Sequence, residues 1–265
     1  MYEFPVSGPL SAEVRVSAGR LEIAAQPGLT TATVRVEPAD GSDASKEAAE
    51  QTVVELRGTN LIVKAPENKG WLRMRFPRLA ITIAVPADST LDLKTASADA
   101  TCTGAYRTVQ ANTASGDVFV ETVTGDFAIT TASGDVRTMQ VGGEFKIKSA
   151  SGDISADTID GSAVVHTASG DVEIGTLGGD LHGTTASGDF AVRTLRQGTA
   201  KVNSASGDIS VGVTPGVAIW LELSSMSGRA RSDLQPSGAP ANGQPAVALH
   251  LRSMSGDILV NRAAG

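Results

Sequence analysis

One motif repeats an acid through the middle of the chain. In [ST]-A-S-G-D the aspartate falls at Asp117, Asp135, Asp153, Asp171 and Asp189, each 18 residues after the last. Asp208 follows 19 later, a degenerate TASAD places Asp99 18 before Asp117, and SSMSGR (224–229) and SMSGD (253–257) continue at wider spacing. Carboxylates at a fixed interval beside glycine could ligate calcium, as in the β-roll repeat GGxGxDxUx. That chemistry needs six to eight oxygens, many of them carbonyls freed by extra glycines. Here SGD supplies one glycine, and several half-repeats carry Glu144, Ser162 or Thr199 instead of an aspartate. The better reading is a turn acid that accepts local N–H bonds while glycine takes a positive φ. Strands stack ~4.8 Å apart, so a column of like charges would still repel itself. Weak cation binding at Asp117, Asp135, Asp153, Asp171 and Asp189 is the residual metal expectation, and no cofactor is expected.

Catalytic constellations are harder to find. His166, His182 and His250 are scattered, and no Ser/His/Asp or Cys/His arrangement accompanies them. His166 and His182 lie 16 apart, nearly one repeat, so they could share a face as solvated imidazoles. Cys102 is the only cysteine, which excludes an intrachain disulfide and a Cys-based metal site. The Gly-rich turns are not phosphate loops, because no helix or GKS/GKT follows them. Solenoid enzymes build clefts from long loops, and the central repeats hold no insertion longer than one residue. The chain is therefore read as a non-enzyme without catalytic residues.

The formal charge of −7 and pI of about 5.0 argue against a general nucleic-acid binder. One basic, aromatic stretch stands out, NKGWLRMRFPRLA at 68–80. Trp71, Arg73, Arg75 and Arg78 are the interaction candidates there, for an anionic membrane surface or an acidic partner. The alternation equally fits a strand with Leu72, Met74 and Phe76 inward and the arginines solvated, and that reading is preferred. No run approaches the ~18 apolar residues of a membrane span. The N-terminus, MYEFPVSGPLSAEV, lacks basic and apolar signal regions, so a cytoplasmic location is expected, with the cell envelope as the alternative.

The elements that position these residues follow from the period. Glycines at 116, 125, 134, 143, 152, 161, 170, 179 and 188 recur every nine residues, so each 18-residue unit is two strand-plus-turn halves. Apolar residues alternate after each turn: Val118/Val120, Phe127/Ile129, Phe145/Ile147, Val172/Ile174, Phe190/Val192 and Ile209/Val211 face one way. The alanines of the motif (Ala114, Ala132, Ala150, Ala168, Ala186, Ala205) are expected to fill a tight inner corner. Val123, Val141, Ile159, Leu177 and Leu195 fill the matching place in the other half. No single unit can bury its apolar face, so units must stack on one another. The predicted fold is all-β, a parallel β-solenoid (β-helix) of 18-residue coils, with irregular N-terminal coils and one short helix.

The chain is read as a single elongated domain, 1–265. Residues 1–90 form irregular coils, with SAGRLEI a worn copy of the motif and a short helix near 42–51 over an open end. Residues 91–213 are the regular repeats. Residues 214–265 are irregular C-terminal coils with an inserted Pro/Gly-rich loop at 232–246.

The run of [ST]-A-S-G-D copies, with VPADSTLDLKTASADATCTG (85–104) and EAAEQTVVELRGTNLIVKAP (47–66), resembles the bacterial putative-adhesin family of β-strand repeats, also called toastrack. The resemblance spans nearly the whole chain and carries no catalytic residue to transfer. It implies a scaffold or protein-interaction module associated with envelope stress or organisation. The implied partner is an unidentified protein, or another copy of the chain. By analogy with bactofilins a self-assembling filament is the alternative, and surface adhesion a further one if the chain is exported.

Overall fold

The computed structural model describes residues 1–66, 77–234 and 246–263. It is a nearly all-β parallel solenoid with one short helix. Two compact units divide it, Met1–Arg137 and Thr138–Gly265.

In the first unit the strand Ser11–Gln26 is already a complete coil. Along one edge it pairs in parallel with Thr90–Tyr106, Ser11 against Thr90 through Ala24 against Thr103. This register puts Gly19 and Arg20 opposite Ala98 and Asp99, so SAGRLEI does occupy the motif position. Described segments between these two strands build a cover on the opposite edge. Asn60–Lys64 pairs with the first half of Ser11–Gln26 and Leu79–Pro86 with the second, both in parallel. Beyond these the pairing turns antiparallel. Val53–Arg57 closes a hairpin on Asn60–Lys64, Thr31–Pro38 adds to Leu79–Pro86, and Tyr2–Pro5 adds to Thr31–Pro38. Antiparallel strands can end a stack because a hairpin needs no crossover.

The helix Asp43–Gln51 starts where expected. Ser42 is its N-cap, accepting from the Ser45 backbone N–H at 3.2 Å, which satisfies one of the first-turn donors. Ala48 is buried, and the helix packs on Thr31–Pro38 and Leu79–Pro86.

The second unit shows the period directly. Phe145–Ser149, Ala163–Thr167 and Leu181–Ser187 pair in sequence along one wall, and Ile154–Ile159, Val172–Leu177 and Phe190–Leu195 along another. The extra residue near LRQG shifts the pairing by one, Leu181 against Ala200, and Leu195 against Val213 restores the earlier step. The apolar positions that alternate after each turn are buried, as are Val123, Val141, Ile159, Leu177 and Leu195.

Two features differ from the sequence expectation. The alanine column is not inward: Ala114, Ala132, Ala150, Ala168, Ala186 and Ala205 are all exposed. Strand alternation explains this. In Phe127–Thr131 the buried positions are Phe127, Ile129 and Thr131, so the next residue, Ala132, must face out. The inner corner instead holds the first letter of the motif. Thr113, Thr131, Thr167, Thr185, Ser204 and Ser253 are buried. The Thr131 hydroxyl accepts from the Gly134 N–H at 2.9 Å and donates to the Gly134 carbonyl at 3.3 Å. Thr113 treats Gly116 in the same way, and Ser149 treats Gly152. Gly134 is required for a further reason: a Cβ there would sit 2.1 Å from the Gly116 carbonyl oxygen of the neighbouring coil.

The second difference is the order of the last coils. Gly198–Ser206 pairs with Ala246–Ser255, not with Ala218–Ser225, the next strand of its own wall in chain order. Ala218–Ser225 then pairs with the far edge of Ala246–Ser255. The other wall repeats the order: Ile209–Val213, Ile258–Arg262, Ala230–Ser232. The chain thus lays down its outermost coil first and returns to fill the layer beneath it.

Candidate functional site

The repeated aspartates are bound into the stack. In the first unit the Asp117 N–H donates to the Asp99 carboxylate at 3.2 Å, and the Asp135 N–H to Asp117 at 3.0 Å. In the second, Asp171 donates to Asp153 at 2.9 Å, Asp189 to Asp171 at 2.8 Å and Asp208 to Asp189 at 2.8 Å. The ladder then follows the spatial order of coils, from Asp257 to Asp208 at 2.7 Å and Arg229 to Asp257 at 2.8 Å. The carboxylates of Asp99, Asp117, Asp153, Asp171, Asp189, Asp208 and Asp257 therefore accept from the coil stacked on each, so the acid is a bond between layers and not only a local turn. Among the described residues no cluster of three or more His, Cys, Asp or Glu has a metal-binding arrangement.

Of the four residues singled out in 68–80, Trp71, Arg73 and Arg75 lie outside the described residues. Arg78 is described and its side chain is exposed. Its backbone N–H donates to Ser45 Oγ at 3.0 Å, tying the entry to Leu79–Pro86 onto the helix. Cys102 is wholly buried, and burial pushes its thiol up to about 12, which leaves it no thiolate for chemistry near neutral pH. The Tyr106 hydroxyl, also raised chiefly by burial, donates to the Ile23 carbonyl at 2.8 Å.

The outer face of one wall of the second unit gathers all three histidines. Strand register places Lys146, Val164, His182, Lys201, His250 and Glu222 in one cross-strand row. A second row holds Lys148, His166, Thr184, Asn203, Arg252 and Ser224. The His166 and His182 rings meet edge to face with centroids 5.7 Å apart, as their near-repeat spacing suggests. Burial, then His182 and the two lysines Lys148 and Lys146, hold His166 below the usual histidine range. Glu222 accepts from Arg252 at 2.6 Å and contacts His250 Nδ1 at 2.9 Å, and these bonds lower its carboxyl. Trp220, 56% exposed, lies tilted over His250.

Sequence reasoning missed Lys146, Lys148, Lys201 and Arg252 as a group. They are far apart in the chain, and their signal was the repeat itself: outward positions of successive copies become neighbours. Arg252 could not be placed in this way, because its coil is stacked out of chain order.

Parallel coils, a hydroxyl-lined corner and a carboxylate ladder define a β-solenoid repeat protein. A family model described as Toastrack DUF4097 matches residues 21–261, and the chain belongs to that family. A comparison with curated proteins finds no match. Among solved structures, a putative lipid binding protein from Parabacteroides distasonis is 16% identical with a TM-score of 0.48, over 99% of this chain and 96% of its own. A putative adhesin from Parabacteroides merdae is 10% identical, TM-score 0.40, over 98% and 94%. A putative adhesin from Bacteroides fragilis is 12% identical, TM-score 0.36, over 98% and 95%.

Proposed function

We propose that the protein is a non-enzymatic scaffold that presents binding faces to a protein partner in the organisation or stress response of a bacterial cell envelope, on its cytoplasmic side. One observation carries this reading. The corner aspartates repeat from coil to coil and bond successive layers, whereas the outward positions along one wall of the second unit differ: Ser155, Glu173, Ala191, Ser210 and Leu259. A constant frame with varied outward residues suits recognition, since each coil contributes a different contact to one rigid surface. Catalysis has no comparable support, because the inward positions are filled by apolar side chains and corner hydroxyls. Proximity labelling in the native bacterium tests the scaffold. Repeated enrichment of one envelope-associated protein, reduced when Glu173 is replaced by Lys on the outer face, is the expected result. A labelled set indistinguishable from that of an unrelated soluble protein would overturn it.

A further inference from the structure

We infer that the lysine- and histidine-bearing wall of the second unit docks on an anionic lipid bilayer, with Trp220, Met226 and Met254 as apolar anchors. The inference is independent of the protein-partner reading and concerns a different class of contact. The chain as a whole is acidic, at −7. Yet the two outward rows of this wall hold four fixed cations, Lys146, Lys148, Lys201 and Arg252, against one carboxylate, Glu222. The exposed acids Glu144 and Asp180 stand on the flank that carries Thr199, Ala248 and Trp220, where Asp180 accepts from the Thr199 N–H. The Glu222 carboxylate is engaged by Arg252 and His250. The three histidines of the wall add charge on protonation, and the acids of the motif stand at the corner beyond it. A protein that carries net negative charge would be repelled by an anionic surface in most orientations. Segregated cations give it one orientation that is attracted.

Charge alone would suit any polyanion. What favours lipid is the apolar material on the same wall. Outward positions along Ala218–Ser225 run Trp220, Glu222, Ser224, then Met226 just beyond the strand; along Ala246–Ser255 they run Ala248, His250, Arg252, Met254. Met226 and Met254 are 78% and 58% exposed. They stand where the other copies carry the exposed alanine, so bulky apolar side chains rise at the corner of these two coils alone. With Thr184, Asn203 and Arg252 they border a groove of about 400 Å³. A tryptophan at one side of a basic wall and two methionines with a guanidinium at the other form an interfacial arrangement. The indole and thioethers can enter the headgroup boundary while lysine stems lie along the surface with their ammonium groups on lipid phosphates. A wall of parallel strands keeps these side chains in one broad surface, which suits a bilayer.

Sedimentation of the full chain with phosphatidylcholine vesicles, and with the same vesicles containing phosphatidylglycerol, tests the assignment. Binding is expected only to the anionic vesicles and should weaken as salt screens the charges. The triple variant Lys146→Glu, Lys148→Glu, Lys201→Glu should lower affinity on the order of a hundredfold. Replacing Met226 and Met254 by Ser should also lower it, and in a Trp71→Phe background binding should shift the emission of Trp220 to the blue. All these positions are on the surface, and circular dichroism of each variant checks that it folds. Equal binding to both vesicle types, or unchanged binding of the triple Glu variant, would overturn the proposal. So would loss of binding only on charge reversal with Trp220 fluorescence unmoved, which would mark a general polyanion site. A wild-type protein that self-associates through this wall without vesicles, and is made monomeric by the Glu changes, would replace lipid with a second copy. Failure of any of these leaves the proximity-labelling result on the protein partner unaffected.

Discussion

The backbone N–H of Arg229 donates to the carboxylate of Asp257 at 2.8 Å, although Asp257 comes 28 residues later in the chain. This bond records the order of the last coils. Everywhere else in the described ladder a later residue donates to an earlier carboxylate. It also accounts for the arginine. Arg229 holds the aspartate position of the coil at the end of the pairing order, and no described coil follows to offer an N–H. A carboxylate there has no backbone donor to accept from, so the position is released from the motif.

The coil order can be checked by crosslinking. Thr199 faces Ala248, and Ala248 faces Trp220, on outward positions of adjacent parallel strands. Neighbouring strands lie ~4.8 Å apart, within disulfide reach. A Thr199→Cys, Ala248→Cys protein should crosslink readily under mild oxidation, whereas Thr199→Cys with Trp220→Cys should not. Buried Cys102 should not compete. The opposite pattern would restore stacking in chain order.

The corner hydroxyl should matter more than the corner alanine. Thr131→Val keeps the shape but leaves the Gly134 N–H and C=O without their buried partner, at a cost of about 1–3 kcal/mol. Ala150→Leu on the exposed side should change stability by less than about 0.5 kcal/mol. Urea denaturation of the two proteins separates them. A greater loss from Ala150→Leu would return the alanines to the interior.

The aspartate ladder makes a prediction about both chemistry and metal. Asp171→Ala removes the acceptor of the Asp189 N–H and should lower the melting temperature. Asp171→Asn retains a side-chain carbonyl that can accept the same bond, so it should be milder. Neither effect should depend on calcium. A difference between the two proteins that appears only in calcium-containing buffer would show that the carboxylates act as ligands.

His166 should titrate below a free histidine in NMR. Its folded pKa is depressed, so the unfolded chain takes up a proton first as pH falls. The stability linked to this group is present above about 6.5, the ordinary value, and is lost as pH drops through the depressed folded value. His166→Gln should flatten that part of the stability–pH curve. Lys146→Gln with Lys148→Gln should move the His166 resonance titration upward, because part of the depression comes from their charges. A His166 titration at or above the ordinary value would contradict the crowded cationic wall.

Much of this molecule was readable along the chain. The 18-residue period with alternating Val118/Val120 and Phe127/Ile129 required parallel stacked coils, since one coil cannot cover its own apolar face. The serine N-cap and the helix formers after it marked Asp43–Gln51, and SAGRLEI marked an early coil. These are local signals, and local physics fixes their outcome. The inner corner was misread because composition favoured a small residue there, while strand alternation, running on from Phe127 and Ile129, brought Thr131 inside.

What the tertiary structure alone decided is adjacency. Sequence spacing could show that Asp171 and Asp189 recur, but not that each carboxylate bonds the next layer, which depends on a ~4.8 Å stacking distance. It could show that SMSGD follows SSMSGR, but not that the later copy inserts beneath the earlier one. Coil order at an end depends on which open edge finds a partner, and a connection as long as 233–245 permits either order. The basic wall follows from the same cause: Lys201, His250 and Glu222 are neighbours because the layers close in that order.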